Sequence, residues 1–231
     1  MITHLLNYVS LVLANHNITS DNLLKFIKIM NKYNINFNIN DFEIKYNIID
    51  VHYIIENYNL NKNNIIHIED YTSHYFKIDF DFNTFTNLRT LIITNDRYIT
   101  DSDIRLLNNL EILMLPKNKL LTDKSIKNLN NLRVLDLNYN RNITNISIIN
   151  KTKLKYIKLI HNKKITDDGF KNIHTLEYVN LGYNNNRELK LQFLIRNNLN
   201  TLILLKKKNI SNEIKNLIRN IKRLDIPNIK Y

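Results

Sequence analysis

His67, Glu69, Asp70 and His74 are the densest gathering of imidazole and carboxylate groups in the chain. They are the first place to look for metal or acid–base chemistry, but their spacing matches no familiar ligand pattern, and a metal site needs several converging donors. The only glycines are Gly169 and Gly182, which excludes a glycine-rich phosphate loop, and there is no cysteine, no H-E-x-x-H and no G-x-S-x-G. The expectation is a non-enzymatic protein with no metal and no cofactor. Its chemistry is then recognition, and tyrosine is the side chain best suited to it, because it joins a large apolar area to a hydroxyl and is enriched at binding hot spots. Tyr156 and Tyr178 stand 22 residues apart, as do Tyr139, His161 and Tyr183 in succession.

That interval belongs to the chain as a whole. Leu88, Leu110, Leu132, Leu154, Leu176, Leu199 and Ile221 recur at a step of 22 residues, broken once by 23. Four units are nearly intact: Leu110-x-x-Leu113-x-Leu115-x-x-Asn118, Leu132-x-x-Leu135-x-Leu137-x-x-Asn140, Leu154-x-x-Ile157-x-Leu159-x-x-Asn162 and Leu176-x-x-Val179-x-Leu181-x-x-Asn184. A fixed period of this length marks a solenoid, in which each unit is too small to bury its own apolar face and stacks on its neighbours. Leu135 and Leu137 lie two apart and so share one side of a short strand, with Val134 and Asp136 on the other.

Asn118, Asn140, Asn162 and Asn184 follow where the backbone must leave the strand. An amide both donates and accepts, so stacked asparagines can serve the turns and one another in a ladder. Each unit then reads Ile99-Thr100-Asp101, Leu121-Thr122-Asp123, Ile143-Thr144-Asn145 or Ile165-Thr166-Asp167. Thr before an apolar i, i+3 pair is a helix-start signal, its oxygen accepting an amide of the first turn.

This pattern resembles the leucine-rich repeat family, in particular its F-box-associated type. The resemblance implies an α/β solenoid with a parallel sheet on the concave wall and short helices or 3-10 turns on the convex wall. It also implies a protein-interaction scaffold that binds through the concave sheet. Asp96, Lys207 and Ile229 replace the asparagine in the end units, as the capping units of solenoids often do.

The organisation expected is about seven repeats with a C-terminal cap over 88–231, a degenerate first repeat or cap strands over 66–87, and a helical cap or small adaptor-like domain over 1–65. In that N-terminal part Ile2, Leu5, Leu6, Val9 and Leu13, then Leu23, Leu24, Ile27 and Met30, then Ile48, Val51, Ile54 and Ile55 keep helical spacing, whereas Ile66, Ile68, Phe76, Ile78, Phe80 and Phe82 alternate as strands do. By analogy with proteins that couple an F-box to such repeats, the N-terminal part is alternatively an adaptor that recruits substrates for ubiquitination.

On the partner-facing wall the strands expose Thr90 and Ile92, Ile112 and Met114, Val134 and Asp136, Tyr156 and Lys158, Tyr178 and Asn180, Thr201 and Ile203, and Arg223 and Asp225. Tyr139, His161 and Tyr183 follow just beyond the strands. The candidate partner-binding residues are Tyr156, Tyr178, Tyr139, Tyr183, His161, Lys158, Asp136 and Asn180. The same rings, stacked between neighbouring strands, also serve the sheet alone.

Composition narrows the partner. A formal charge of +12 and a pI near 9.6 raise nucleic acid or an anionic membrane surface as an alternative. The lysines are nevertheless scattered, and Lys206-Lys207-Lys208, the one run, has no interleaved aromatics. Another protein is therefore the expected partner. A continuous basic stripe in the folded chain would shift the balance toward nucleic acid.

The plentiful asparagine, isoleucine and lysine are what AT-rich codons produce, as in some protists and large DNA viruses of amoebae. No segment has the length of a membrane span, Leu5 to Ala14 lacks a basic n-region, and the absence of cysteine argues against an oxidising compartment. An intracellular, cytoplasmic location is expected.

Overall fold

The structure is a computed structural model that describes residues 18–19, 24–25, 27–29, 32, 44–46, 62–70, 82–94, 96–184, 186–197, 199–204, 211–218 and 223–225. Ten strands form one parallel sheet in strict chain order: β1 Ile18–Thr19, β2 Ile44–Tyr46, β3 His67–Asp70, β4 Thr90–Ile93, β5 Ile112–Met114, β6 Val134–Asp136, β7 Tyr156–Lys158, β8 Tyr178–Asn180, β9 Thr201–Ile203 and β10 Arg223–Asp225. From β4 to β8 each strand pairs with the next at an offset of 22 residues, so that Leu91, Leu113, Leu135, Ile157 and Val179 lie in one row. All five are fully buried, as are Leu110, Leu115, Leu132, Leu137, Leu154 and Leu159. The fold is thus an α/β solenoid whose core is a column of aliphatic side chains between the sheet and the returning arms.

Those arms are short. Asp101–Ile104, Asp123–Ile126 and Asn145–Ile148 make one turn of α-helix each, while Asp167–Phe170 and Gln192–Arg196 are 3-10 helices. Helices of this length are marginal by themselves, and Ile104, Ile126, Ile148 and Phe170 hold them by burial against the column.

The repeated geometry of the turns rests on the asparagines. Asn140 Oδ1 accepts from Asn142 N–H (2.8 Å) and Ile143 N–H (3.2 Å) of its own turn, and its amide donates to the Leu121 carbonyl (2.9 Å) of the unit before. Asn162 repeats this with Lys164 and Ile165 N–H and the Ile143 carbonyl, and Asn118 with Leu120 and Leu121 N–H and the Ile99 carbonyl. The ladder therefore runs from side chain to backbone, not between asparagine side chains as the spacing alone suggests. Asp96 begins it: its carboxylate accepts from Tyr98 and Ile99 N–H and from the Asn118 amide (2.7 Å).

Replacing Asn140 with alanine takes away the bonds it makes to the buried Ile143 N–H, the part-buried Asn142 N–H and the Leu121 carbonyl. It lowers stability by about 1–3 kcal/mol, which a urea melt followed by circular dichroism measures.

A second ladder was not legible as such. Thr122 and Thr144 accept from their own first turns as expected, at 3.2 and 3.3 Å. The acidic residues Asp101 and Asp123, however, act on the following unit. Asp101 accepts from Thr122 N–H (2.8 Å), Thr122 Oγ1 and Ser125 Oγ (2.6 Å), and Asp123 does the same for Thr144 and Ser147. Burial pushes the Asp101 carboxyl up, but those bonds outweigh it and hold it below its ordinary value. In the next unit Asn145 replaces the acid, binding Thr166 through both its oxygen and its amide. Gly169 there stands where Ser125 and Ser147 stood, and a Cβ on it would lie 2.8 Å from Asn145 Oδ1.

The 23-residue step falls between β8 and β9, where Tyr178 pairs with Thr201. The extra residue is absorbed in the arm. Leu191 takes a left-handed backbone (φ 68°), and Asn186 occupies the Ile165 carbonyl that the pattern assigns to Asn184. Asn184 still accepts from Asn186 N–H, but its buried amide has no acceptor among the described residues.

Three expectations for the N-terminal part need correction or lie outside the described residues. Phe82 belongs to the 3-10 helix Phe82–Thr84 rather than to a strand, because it buries its ring beside Phe85, whose N–H returns to the Phe82 carbonyl. β1 and β2 lie in the stretch read as a helical cap, and both extend the same sheet; they are too short to leave a period in the sequence. Residues 24–25, 27–29 and 32 are helical, with Ile27 buried in the common core and Leu24 packed against it. The helices proposed for 1–15 and 48–60, the alternation from Phe76 to Phe80, and Lys206–Lys208 lie outside the described residues.

Candidate partner-binding wall and rim

With Leu135, Ile157 and Val179 turned into the column, the alternate residues of β5 to β9 face the concave side. Tyr156 and Tyr178 pair directly in register and stack, with ring centroids 5.8 Å apart and planes 23° from parallel. Tyr156 is 43% exposed. Ile112, Met114 and Val134 continue the row on one side, and Thr201 and Ile203 on the other, all half-buried. The middle of the wall is therefore an apolar and aromatic surface without a covering element among the described residues.

Lys158 extends over this surface, its Nζ 5.8 Å from the Tyr178 ring centre and 3.7 Å from the Asp136 carboxylate. Asp136 and Asn180 are largely withdrawn from the wall on which the alternation puts them, at 5% and 7% exposure. Each bends its side chain into the turn beyond its own strand: Asp136 accepts from Asn138 N–H and Asn180 from Gly182 N–H, both at 3.1 Å. Burial raises the Asp136 carboxyl above its ordinary value, against the opposing pull of Asn138 N–H and Lys158. The first strand of the repeats is also covered. Thr90 and Ile92 are buried, and Thr90 Oγ1 lies 2.8 Å from the His67 ring. His67 is thus engaged by β4, and among the described residues no group of His, Asp and Glu is placed to hold a metal ion; His74 lies outside them.

At the exit end of the strands Tyr139, His161 and Tyr183 form a continuous stack, with centroid separations of 4.8 and 4.6 Å. Lys117, Tyr139, His161 and Tyr183 all have left-handed backbones, φ from 57° to 69°. Glycine or asparagine takes this conformation most cheaply, and other residues hold it at a cost of order 1–3 kcal/mol. Aromatic rings therefore occupy a place where backbone preference alone would select a smaller residue.

Two residues further on, the fold aligns what looks scattered in the sequence. Arg97, Lys119, Arg141 and Lys163 each follow the turn residue Asp96, Asn118, Asn140 or Asn162, and all four are exposed. No ion pair of the described residues engages them. The expectation of scattered charge is corrected here: the 22-residue period converts four separate cations into a line.

No family model matches the chain, and no protein of curated function matches it. Among solved structures, 30 chains match. One belongs to the crystal structure of the Rad7 and Elc1 complex in yeast, with 15% sequence identity and a TM-score of 0.53, covering 85% of this chain and 62% of that one. This chain thus spans about three-fifths of that relative's length, and the likeness is one of fold.

Proposed function

We propose that the chain is a non-enzymatic scaffold that holds a protein partner against its concave wall. The observation that carries this reading is the stacked Tyr156–Tyr178 pair in the centre of an uncovered apolar row. Tyrosines so placed offer large, rigid contact area at little entropic cost, and such residues dominate binding energy at interfaces. A solenoid suits the task because its stacked strands offer an extended, preformed surface. The fold's likeness to a chain of a two-protein complex is in keeping with it. The division into a repeat array over 88–231, a degenerate first repeat over 66–87 and an N-terminal cap or adaptor over 1–65 belongs to the same proposal, and so does a cytoplasmic location. Among the described residues, no helix is long and apolar enough to cross a membrane.

The test is affinity capture from a lysate of the native cell, comparing the parent chain with Tyr156→Ala and Tyr178→Ala. Each substitution weakens capture by more than about 1 kcal/mol, roughly fivefold, while Lys127→Ala and Lys171→Ala on the convex arms leave it unchanged. Melting curves recorded beforehand separate loss of binding from loss of stacking. Equal capture by folded tyrosine variants sinks the proposal.

A further inference from the structure

We infer that the exit-end rim of the solenoid binds the backbone of single-stranded nucleic acid, through the line Arg97, Lys119, Arg141 and Lys163 beside the stack Tyr139–His161–Tyr183. The inference does not rest on the concave-wall reading, because it uses a different row of side chains.

The spacing comes first. At this end of the stack the units repeat at the 4.6–4.8 Å seen between the stacked rings, so four cations in consecutive units cover roughly 14 Å. Like charges at such spacing repel one another. Among the described residues no ion pair engages them, and the nearby carboxylates are turned inward: Asp96 serves Tyr98 and Ile99 N–H, Asp101 and Asp123 serve the next unit, and Asp136 serves Asn138. A second basic row shows what a structural role looks like. Arg105, Lys127 and Lys171 are the C-cap residues of the convex helices, where a cation complements the helix dipole. The rim cations have no such task.

The chemistry of the rim then selects the ligand. Guanidinium and ammonium groups donate and accept nothing, and the adjoining phenol and imidazole groups donate as well. A phosphodiester chain is an acceptor along its whole edge and carries one negative charge per nucleotide, which a continuous line of donors matches. The rings are stacked on one another, so they present polar edges beside the cations. A row of cations along an edge tracks a phosphate backbone by charge, without reading sequence, and the rings add their polar edges rather than faces for bases to stack on. One line of cations suits one strand rather than the two backbones of a duplex.

The experiment uses the full chain and a fluorescent oligouridylate of about 20 nucleotides, long enough to span the rim. Fluorescence anisotropy is expected to show binding whose affinity falls about 50-fold between roughly 50 and 200 mM salt, the dependence for about four single-strand phosphates. The variant Arg97→Gln, Lys119→Gln, Arg141→Gln, Lys163→Gln loses at least tenfold in affinity and most of its salt dependence. The variant Arg105→Gln, Lys127→Gln, Lys171→Gln, Arg196→Gln carries the same charge change on the convex side and stays within about threefold of the parent, its effect being one of net charge alone. If the rim variant melts early, Lys119→Gln and Arg141→Gln singly carry the test, each with a loss of about threefold. Tyr139→Gly, which suits the left-handed backbone, keeps the fold and weakens binding. Equal losses in the two quadruple variants, tighter binding of the matching duplex, of polyglutamate or of phosphatidylserine vesicles, or no binding at all would overturn the inference.

Discussion

Truncating Leu135 to alanine lowers the stability of the solenoid by about 2–5 kcal/mol, the range for a fully buried leucine. The effect has two parts, the lost transfer of the side chain and the cavity that its rigid neighbours cannot fill. Leu135 sits in register between Leu113 and Ile157 and is fully buried, so the cavity opens on two unit interfaces at once. In a quasi-one-dimensional stack each unit is held only by its neighbours. The loss therefore also weakens cooperativity: a urea melt followed by circular dichroism shows a lower midpoint and a shallower slope as the two sides of the array separate. A variant that melts with the parent's midpoint would mean that the register of β5, β6 and β7 is wrong.

Replacing Lys151 with methionine produces a difference that depends on pH. Lys151 is 1% exposed and occupies the place of Leu129 and Ile173 in the neighbouring units. Its ammonium donates to the Lys127 carbonyl (2.8 Å) and lies 3.4 Å from Asn130 Oδ1. Neither partner is charged, so burial lowers its pKa from 10.5 to about 8. Because the folded value is the lower one, the unfolded chain binds the extra proton between about 8 and 10.5, and stability contributed through this group rises with pH across that window. Below it the whole cost of burying the charge is present. At about 1.4 kcal/mol per pH unit the window amounts to about 3 kcal/mol. Methionine matches the volume and does not titrate. The stability of Lys151→Met relative to the parent therefore falls by about 3 kcal/mol from pH 7 to pH 11, whatever constant penalty the unpaired Lys127 carbonyl adds. Paired melts at the two ends of that range measure it. A constant difference would show that the ammonium is hydrated in the folded chain.

The repeat units were legible because their spacing is enforced by packing. Any shift of one residue would carry Leu113, Leu135 and Ile157 out of the column, so the sequence cannot drift without exposing them. The asparagines were legible for the same reason, although their bonding was not: spacing shows that Asn118, Asn140 and Asn162 stack, and not which carbonyl each amide finds. Lys151 was hidden because lysine is read as a surface residue. Its place in the series Leu107, Leu129, Lys151, Ile173 carries the signal that finds it.

The candidate site was legible in its rings and less so in its polar residues. Alternation along a strand places Tyr156 and Tyr178 on the wall. It cannot foresee that Asp136 and Asn180, each two residues before a free N–H, turn their side chains into the strand's exit. The abundance of asparagine, which codon bias accounts for in bulk, also has specific uses. Asn109 and Asn131 bind the Thr86 and Asn108 carbonyls of the units before them, and Asn138 accepts from Ile160 N–H of the unit after.

With one exception, the Asn145 amide that donates forward to Thr166, the asparagine and threonine ladders point one way along the chain. Asn140 donates to a carbonyl of the preceding unit, and Thr144 donates to Asp123, again of the preceding unit. Each new turn is completed by groups that stand earlier in the sequence. A ribosome, which releases a chain from its N-terminus, delivers the acceptors before the donors that need them. The array is thus suited to growth by addition during translation, each nascent unit docking on a finished template.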